Sequence, residues 1–242
     1  MFFGSQIFRL DKVDSTNNFA ANLIEKGICQ NGAVILADEQ TSGRGQRDTF
    51  WESQAHKNIL CSYIYFPDNV SVENLEAFNY CLSIALVTCL NRFQIHADIK
   101  WPNDILVNSK KIAGVLIENS LSAGKIKSMI FGIGLNVNQL DFNSPGATSM
   151  ALAANKEFEL SEVSSSLTKE FNHWISFADR KAPFIKQEYL KHLFGLQKVL
   201  RFKSLDDEFD GVIEGVNVNG ELEINVSGKV RSFKNKEISF LL

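Results

Sequence analysis

Residues 100–118 read KWPNDILVNSKKIAGVLIE, and the way this stretch folds settles what the rest of the chain must do. Pro102 lacks a ladder donor and holds Trp101 in extended geometry, so WPND interrupts a strand at a sheet end. DILV and KIAGVLIEN are apolar and β-prone, and NSK between them supplies a turn, so the spacing predicts a β-hairpin. Polar side chains at such ends can converge on a ligand. Lys100, Asn103, Asp104, Lys110, Lys111 and Gly114 all gather here. A lysine can neutralise charge building on a carboxylate or phosphoryl oxygen, and an aspartate can hold Mg²⁺. The plain alternative is a solvated hairpin tip, a reading that suits Lys110 better than Lys111, which adjoins the apolar strand.

The flanking segments supply the scaffold. Upstream, Ser15 or Thr16 can cap a short helix through NNFAANLIEK, with Gly27 as its stop. GAVILADEQ (32–40) and NILCSYIYF (58–66) read as strands, and VENLEAFNYCLSIALVTCLNRF (72–93) as a long apolar helix. Downstream, KSMIFGIGLNVN (127–138) reads as a strand, followed by helical segments near 161–178 and 183–193. From about Leu196 apolar and polar residues alternate over short runs, with hairpin turns at Asn219-Gly220 and Ser227-Gly228. That texture predicts a small β-barrel and a division into residues 1–193 and 194–242.

Composition excludes several classes. At 242 residues with a formal charge of −3, the chain does not adhere to nucleic acid through bulk charge. No apolar run reaches membrane-spanning length, and the first residues lack the pattern of a signal peptide. Cysteines at 29, 61, 81 and 89 form no C-x-x-C pair and read as reduced, cytoplasmic thiols. Histidines at 56, 96, 173 and 192 are too scattered for a histidine metal site.

Two further clusters accompany the hairpin. QTSGRGQRDTFW (40–51) sets glycines around Arg44, a pattern that suits either a surface turn or an oxyanion cradle with charged donors. It matches neither the Walker pattern nor the Rossmann fingerprint. GIGLNVN (132–138) offers glycines for close backbone approach and Asn136, whose carboxamide can read a base edge. Glycines packed in a strand beside a turn asparagine would give the same letters.

Taken together and in order, DSTNNFA, DEQTSGRGQRDTFW, KWPNDILVNSKKIAGVLIE and GIGLNVN resemble the biotin–protein ligases, the biotin–[acetyl-CoA-carboxylase] ligase family. The likeness runs from about Val13 through Asn138 and resumes in GELEINVSGKVRSFKNKEISF, which is similar to the family's SH3-like cap. The resemblance implies an α+β fold: a mixed, mostly antiparallel sheet with helices on one side, plus an SH3-like barrel. It implies synthesis of biotinyl-5′-AMP from biotin and MgATP, then transfer of biotin to a lysine of a biotin carboxyl carrier domain. Mg²⁺ would accompany ATP, and family members occur as monomers or homodimers.

The same resemblance assigns roles. Ser15, Thr16, Asn17 and Gln40 would meet biotin's ureido ring. Gly43, Arg44 and Gly45 would cover biotin with backbone donors, and Gly114 would lie near its ring and tail. Arg44, Gln46 and Arg47 would face the adenylate, Trp51 would stack on adenine, and Asn136 would bond its edge. Asn103 would contact the phosphate, and Asp104 would help place Mg²⁺ or the incoming lysine. Lys111 would bridge the biotin carboxylate and the α-phosphate in both half-reactions.

One departure stands out. The family loop in many bacteria reads Gly-Arg-Gly-Arg-x-Gly-Arg-x-Trp, whereas Gln46, Asp48 and Thr49 fill its fourth, sixth and seventh places here. With two arginines missing, the adenylate is expected to be held less tightly. Rival readings fare worse. Lipoate ligases and octanoyltransferases carry an Arg-Arg-x-x-Gly-Gly-Gly type motif absent here. A DNA-binding repressor would need a helix-turn-helix for which DSTN, a dozen residues in, leaves no room. A catalytically dead biotin-binding module is opposed by Lys111.

Overall fold

The computed structural model describes residues 2–46, 49–68, 70, 75–122, 125–178, 182–205 and 207–241. Arg47 and Asp48, two residues of the glycine-rich loop, lie outside that set. Among the described residues a seven-stranded sheet is built from β1 (Ile7–Val13), β2 (Val34–Gln40), β3 (Asn58–Tyr65), β4 (Asp98–Lys100), β5 (Asp104–Val107), β6 (Lys110–Ser122) and β7 (Lys125–Asn136). Its order is β1-β2-β3-β7-β6-β5-β4. Only β1 and β2 run parallel; every other neighbouring pair is antiparallel. The sheet is thus mixed and mostly antiparallel, as expected, and its edge strand β1 alternates exposed with half-buried residues from Ile7 to Asp11.

Helices α1 (Thr16–Lys26), α2 (Leu75–Arg92), α3 (Met150–Ala154), α4 (Leu160–Ile175) and α5 (Ala182–Lys191) cover it. The expectation of helices on one side is corrected here. Val34, Tyr63 and Phe131 belong to the main core with α2 and α4, whereas their neighbours Ile35, Ile64 and Ile130 pack with Ala20 and Leu23 of α1. Adjacent residues of a strand face opposite ways, so α1 lies on the face opposite α2 and α4. Helix α2 is buried around nearly its whole circumference, between the sheet, α4 and α5, which explains why its sequence is apolar almost throughout. Among the described residues no helix is long and apolar enough to cross a membrane.

The C-terminal strands β8 (Val199–Ser204), β9 (Glu208–Val216), β10 (Leu222–Val226), β11 (Lys229–Phe233) and β12 (Ile238–Phe240) form an SH3-like antiparallel sheet of order β11-β10-β9-β8-β12. The expected hairpin turns are present, with Gly220, Ser227 and Gly228 in the left-handed region. The expected closed barrel is not. β11 and β12 form its two edges, and β12, only three residues long, pairs with β8 alone. The β9–β10 turn and β12 contact the larger sheet instead. Trp101 Nε1 donates to Gly220 O at 3.0 Å, and Lys100 Nζ lies 5.3 Å from the Phe240 ring centroid. Phe202, Ile213 and Leu222 join the same continuous apolar core as α2.

Candidate active site

On the α1 face, the apolar patch beneath the helix gives way to a floor rich in glycine. Gly114 pairs with Gly134, and Leu116 with Gly132, across β6 and β7. A Cβ at Gly132 would run into the Asn17 carboxamide, and one at Gly134 into the Trp51 indole. These glycines are required by the close approach of the Asn17 and Trp51 side chains. Above this floor is a cavity of about 490 Å³.

One end of the cavity is a polar recess at the start of α1. Ser15 occupies the helix N-cap position with extended backbone, but its hydroxyl makes no cap bond and faces the cavity. The Thr16 N–H and hydroxyl both donate to Gln40 Oε1, at 2.7 and 3.0 Å. The Ser62 hydroxyl lies 2.8 Å from Thr16 Oγ1 and donates to Asn17 Oδ1 at 2.6 Å. Buried polar groups are thus paired with one another, which fixes their rotamers. The Gln40 amide nitrogen makes no bond among the described residues.

The middle is set by an irregularity. Ile105 pairs with Ala113 and Leu106 with Lys111, so Ile112 is an extra residue in β6. Without that bulge, Lys111 and Gly114, three apart, would point to opposite faces. With it, both line the cavity while Ile112 is buried in the core. The Lys111 ammonium lies 2.5 Å from Asp104 Oδ1 and 5.5 Å from the Trp51 ring centroid. Its backbone is held by the segment that follows β7: Lys111 N–H donates to Gly146 O at 2.7 Å, and Thr148 N–H donates to Lys111 O at 2.9 Å. Asn103, buried, donates to Val115 O from the wall beside Asp104. Lys110 is exposed, as a hairpin-tip lysine should be.

The glycine-rich loop forms the roof. Trp51 N–H donates to Gly43 O at 2.9 Å, and its indole lies over Gly114 and Gly134. Gly43 itself sits against Gln40 and the Trp51 backbone, where a side chain would not fit. The Gly45 N–H is committed to Thr49 O at 2.7 Å, and the Thr49 hydroxyl donates to Gln46 O at 2.9 Å. Thus Thr49 closes a turn inside the loop. Arg44 crosses the cavity to Glu118 at 2.9 Å and donates to Asn18 Oδ1 at 2.8 Å.

The structure therefore brings Ser15, Thr16, Asn17, Gln40, Arg44, Gly45, Gln46, Trp51, Asn103, Asp104, Lys111 and Gly114 to one cavity. Gly43 supports it from behind, and Arg47 is outside the described residues. Asn136 is not part of the wall. Its amide donates to Thr148 O at 2.9 Å, and its buried Oδ1 has no partner among the described residues. Residue-by-residue reading missed Glu118, which also accepts from Asn17 Nδ2 at 2.7 Å. Counting by twos from Gly114 along β6 would have found it. It also missed the C-terminal contribution, for which no local signal exists. Among the described residues, no group of three or more His, Cys, Asp or Glu side chains could hold a metal ion.

Comparison with known proteins agrees with this geometry. Residues 10–136 match the model of the biotin/lipoate A/B protein ligase family. The Bacillus subtilis bifunctional ligase/repressor BirA is 28% identical, covering 97% of this chain and 74% of its own length. The biotin–[acetyl-CoA-carboxylase] ligase of Paracoccus denitrificans is 29% identical, covering 88% and 91%. The structure of the Aquifex aeolicus biotin protein ligase in complex with biotin and ATP superposes with a TM-score of 0.80 at 26% identity, covering 98% of each chain. With more than half of its length under the family model and a matching fold throughout, the chain belongs to the biotin/lipoate A/B protein ligase family and is a ligase.

Proposed function

We propose that this ligase condenses biotin with MgATP to biotinyl-5′-AMP and then passes the biotinyl group to a lysine of a biotin carboxyl carrier domain of the acetyl-CoA carboxylase type. One observation carries the reading. The bulge at Ile112 sets Lys111, paired with Asp104, in the same cavity as the recess formed by Thr16, Asn17 and Gln40. A cation stands where an acid's carboxylate would end, and paired amide and hydroxyl groups stand where its polar head would lie.

In the first step a biotin carboxylate oxygen attacks the α-phosphorus and pyrophosphate leaves, forming a mixed anhydride. Lys111 faces the charge that develops on both oxygens, and a fixed donor in a shielded site is worth far more there than in water. In the second step the acceptor amine attacks the acyl carbon, AMP leaves, and the amine's surplus proton must be taken up; Asp104 is the carboxylate at hand. Mg²⁺ would neutralise phosphate charge. Its fit is that of an ion arriving with ATP, since Asp104 is one hard oxygen donor and nucleotide phosphates supply the others. The recess selects for a ureido ring because an acid lacking one leaves its buried polar groups unpaired.

The division into catalytic residues 1–193 and an SH3-like unit 194–242 belongs to the same proposal, as does a cytoplasmic setting, where thiols outside disulfides, such as those of Cys29, Cys61 and Cys89, persist. Enzyme, biotin, MgATP and a carrier domain are mixed and the carrier is weighed. Gain of the biotinyl mass, lost in Lys111→Ala, is the expected result. Transfer of lipoate in place of biotin would overturn the reading in favour of a lipoate ligase.

A further inference from the structure

The wall facing Lys111 is built partly by the C-terminal sheet. Asn235, Lys236 and Phe240 line the cavity together with Lys100, Asp104 and Lys111. Lys236 is the unexpected member. Its φ is 73°, in the left-handed region where glycine is at ease and a lysine is strained. Lys236 is exposed and makes no ion pair among the described residues. Strained backbone persists where the surroundings hold it, and an observed outlier at a site is grounds for a functional inference. The neighbouring residue supplies the hold: Asn235 Nδ2 donates to Gln46 Oε1 of the roof loop at 2.7 Å, and the Glu237 N–H donates to Lys234 O at 3.0 Å.

The position of this wall identifies what it would meet. Lys100 pairs with Asp104 across β4 and β5, and its ammonium rests on Phe240 of β12. Phe240 thus stands beside the β4–β5 end of the cavity wall, and the turn before it lines the same cavity, tied to the roof loop through Gln46. Arg44 is already neutralised by Glu118, and Lys111 is paired with Asp104. Among the described residues, Lys100 and Lys236 line the cavity without a carboxylate partner. Resting on the ligase reading above, we propose that Lys236 binds the polyphosphate of the nucleotide, supplying from the C-terminal sheet a cation that the roof loop lacks at Gln46 and Thr49, while Asn235 positions the loop beside it.

The test uses the full chain and reads equilibrium binding of ATP, inorganic pyrophosphate and biotin separately, each without the other substrates. Lys236→Met and Lys236→Gly are compared, the glycine variant because it relieves the backbone and keeps the fold. Both are expected to weaken ATP and pyrophosphate about three- to tenfold, the scale of an accessible cation meeting a multiply charged group. Biotin binding should stay constant, and Lys236→Arg should recover the nucleotide. A glycine variant that binds ATP and pyrophosphate as the parent does would overturn the proposal, as would equal losses for biotin. Because nucleotide binding is read alone, a parent enzyme that activated a different acid would refute the ligase reading and leave this test intact.

Discussion

The Lys111 ammonium and the Asp104 carboxylate stand 2.5 Å apart across a bulged hairpin, inside a cavity that both help to enclose. Removing the cation leaves Asp104 repelling the very oxygens that must approach. Lys111→Ala is expected to slow adenylate formation by at least about 10²-fold, the scale of a lost preorganised donor. Asp104→Asn should slow transfer to the acceptor more than adenylate formation. Pyrophosphate exchange and single-turnover transfer separate the two steps; equal losses in both for Asp104→Asn would remove its proton-accepting role.

The glycine floor makes a second prediction. A methyl group at Gly132 meets Asn17, and one at Gly134 meets Trp51. Gly132→Ala should therefore weaken biotin about tenfold or more, with a smaller effect on ATP, since misplacing positioning groups is costly. Gly134→Ala should shift the emission of Trp51, read against a Trp51→Phe control. Unchanged biotin affinity in Gly132→Ala would show that the recess tolerates movement of Asn17.

Glu118 holds Arg44 and Asn17 at once. Glu118→Gln keeps the shape and removes the charge, and bonds to charged groups contribute about 1.5–3 kcal/mol each when well formed. Half-exposure reduces this, so a biotin affinity roughly five- to tenfold weaker is expected by titration calorimetry. Wild-type affinity would mean that Arg44 finds its place without Glu118.

Gln46→Arg would restore one of the arginines that many relatives carry and would forfeit the bond to Asn235. If charge on the roof loop governs retention of the adenylate, release should slow in this variant, by about tenfold per 1.4 kcal/mol gained. Rapid-quench timing of a preformed complex gives the answer. Release at the parent's rate would show that charge on the roof loop does not govern retention.

Burial pushes the Cys61 thiol up to about 12 and Cys89 to about 11, whereas Cys29 is partly exposed and its thiol is raised less. Native alkylation at pH 8 should add one adduct, at Cys29. The same shifts affect stability. Unfolded thiols ionise near the ordinary value of 9.0 and folded Cys61 near 12, so the folded state loses ground as pH rises between them. The urea midpoint should fall from pH 9 upward, and Cys61→Ala should flatten that fall.

Much of this architecture was legible in the letters because local chemistry and tertiary environment agree. Gly27 ends α1 with φ 65°, and Asn108 and Ser109 form the left-handed hairpin turn at φ 50° and 61°. The long apolar helix, the strands ending in glycines and the hairpin turns of the last sheet follow from periodicity alone. What failed was non-local. β1 is an exposed edge strand, and its partner β2 lies beyond a whole helix. Closure of the C-terminal sheet depends on what β12 meets in space. In the cavity, the motifs identified Lys111 and Asp104, but only the bulge explains how Lys111 shares a face with Gly114. Asn136, expected on an adenine edge, is tied instead to Thr148.

Gln46 and Asn235 are separated by 189 positions and joined by one hydrogen bond. Exchanging the C-terminal sheet between relatives would therefore break or replace that bond. A chimera that imports this sheet also imports the far wall of the cavity and a new partner for residue 46. Compatibility of the two halves would then turn on positions 46, 235 and 236 as well as on the Trp101–Gly220 and Lys100–Phe240 contacts, and grafts should be made with those residues travelling as a set.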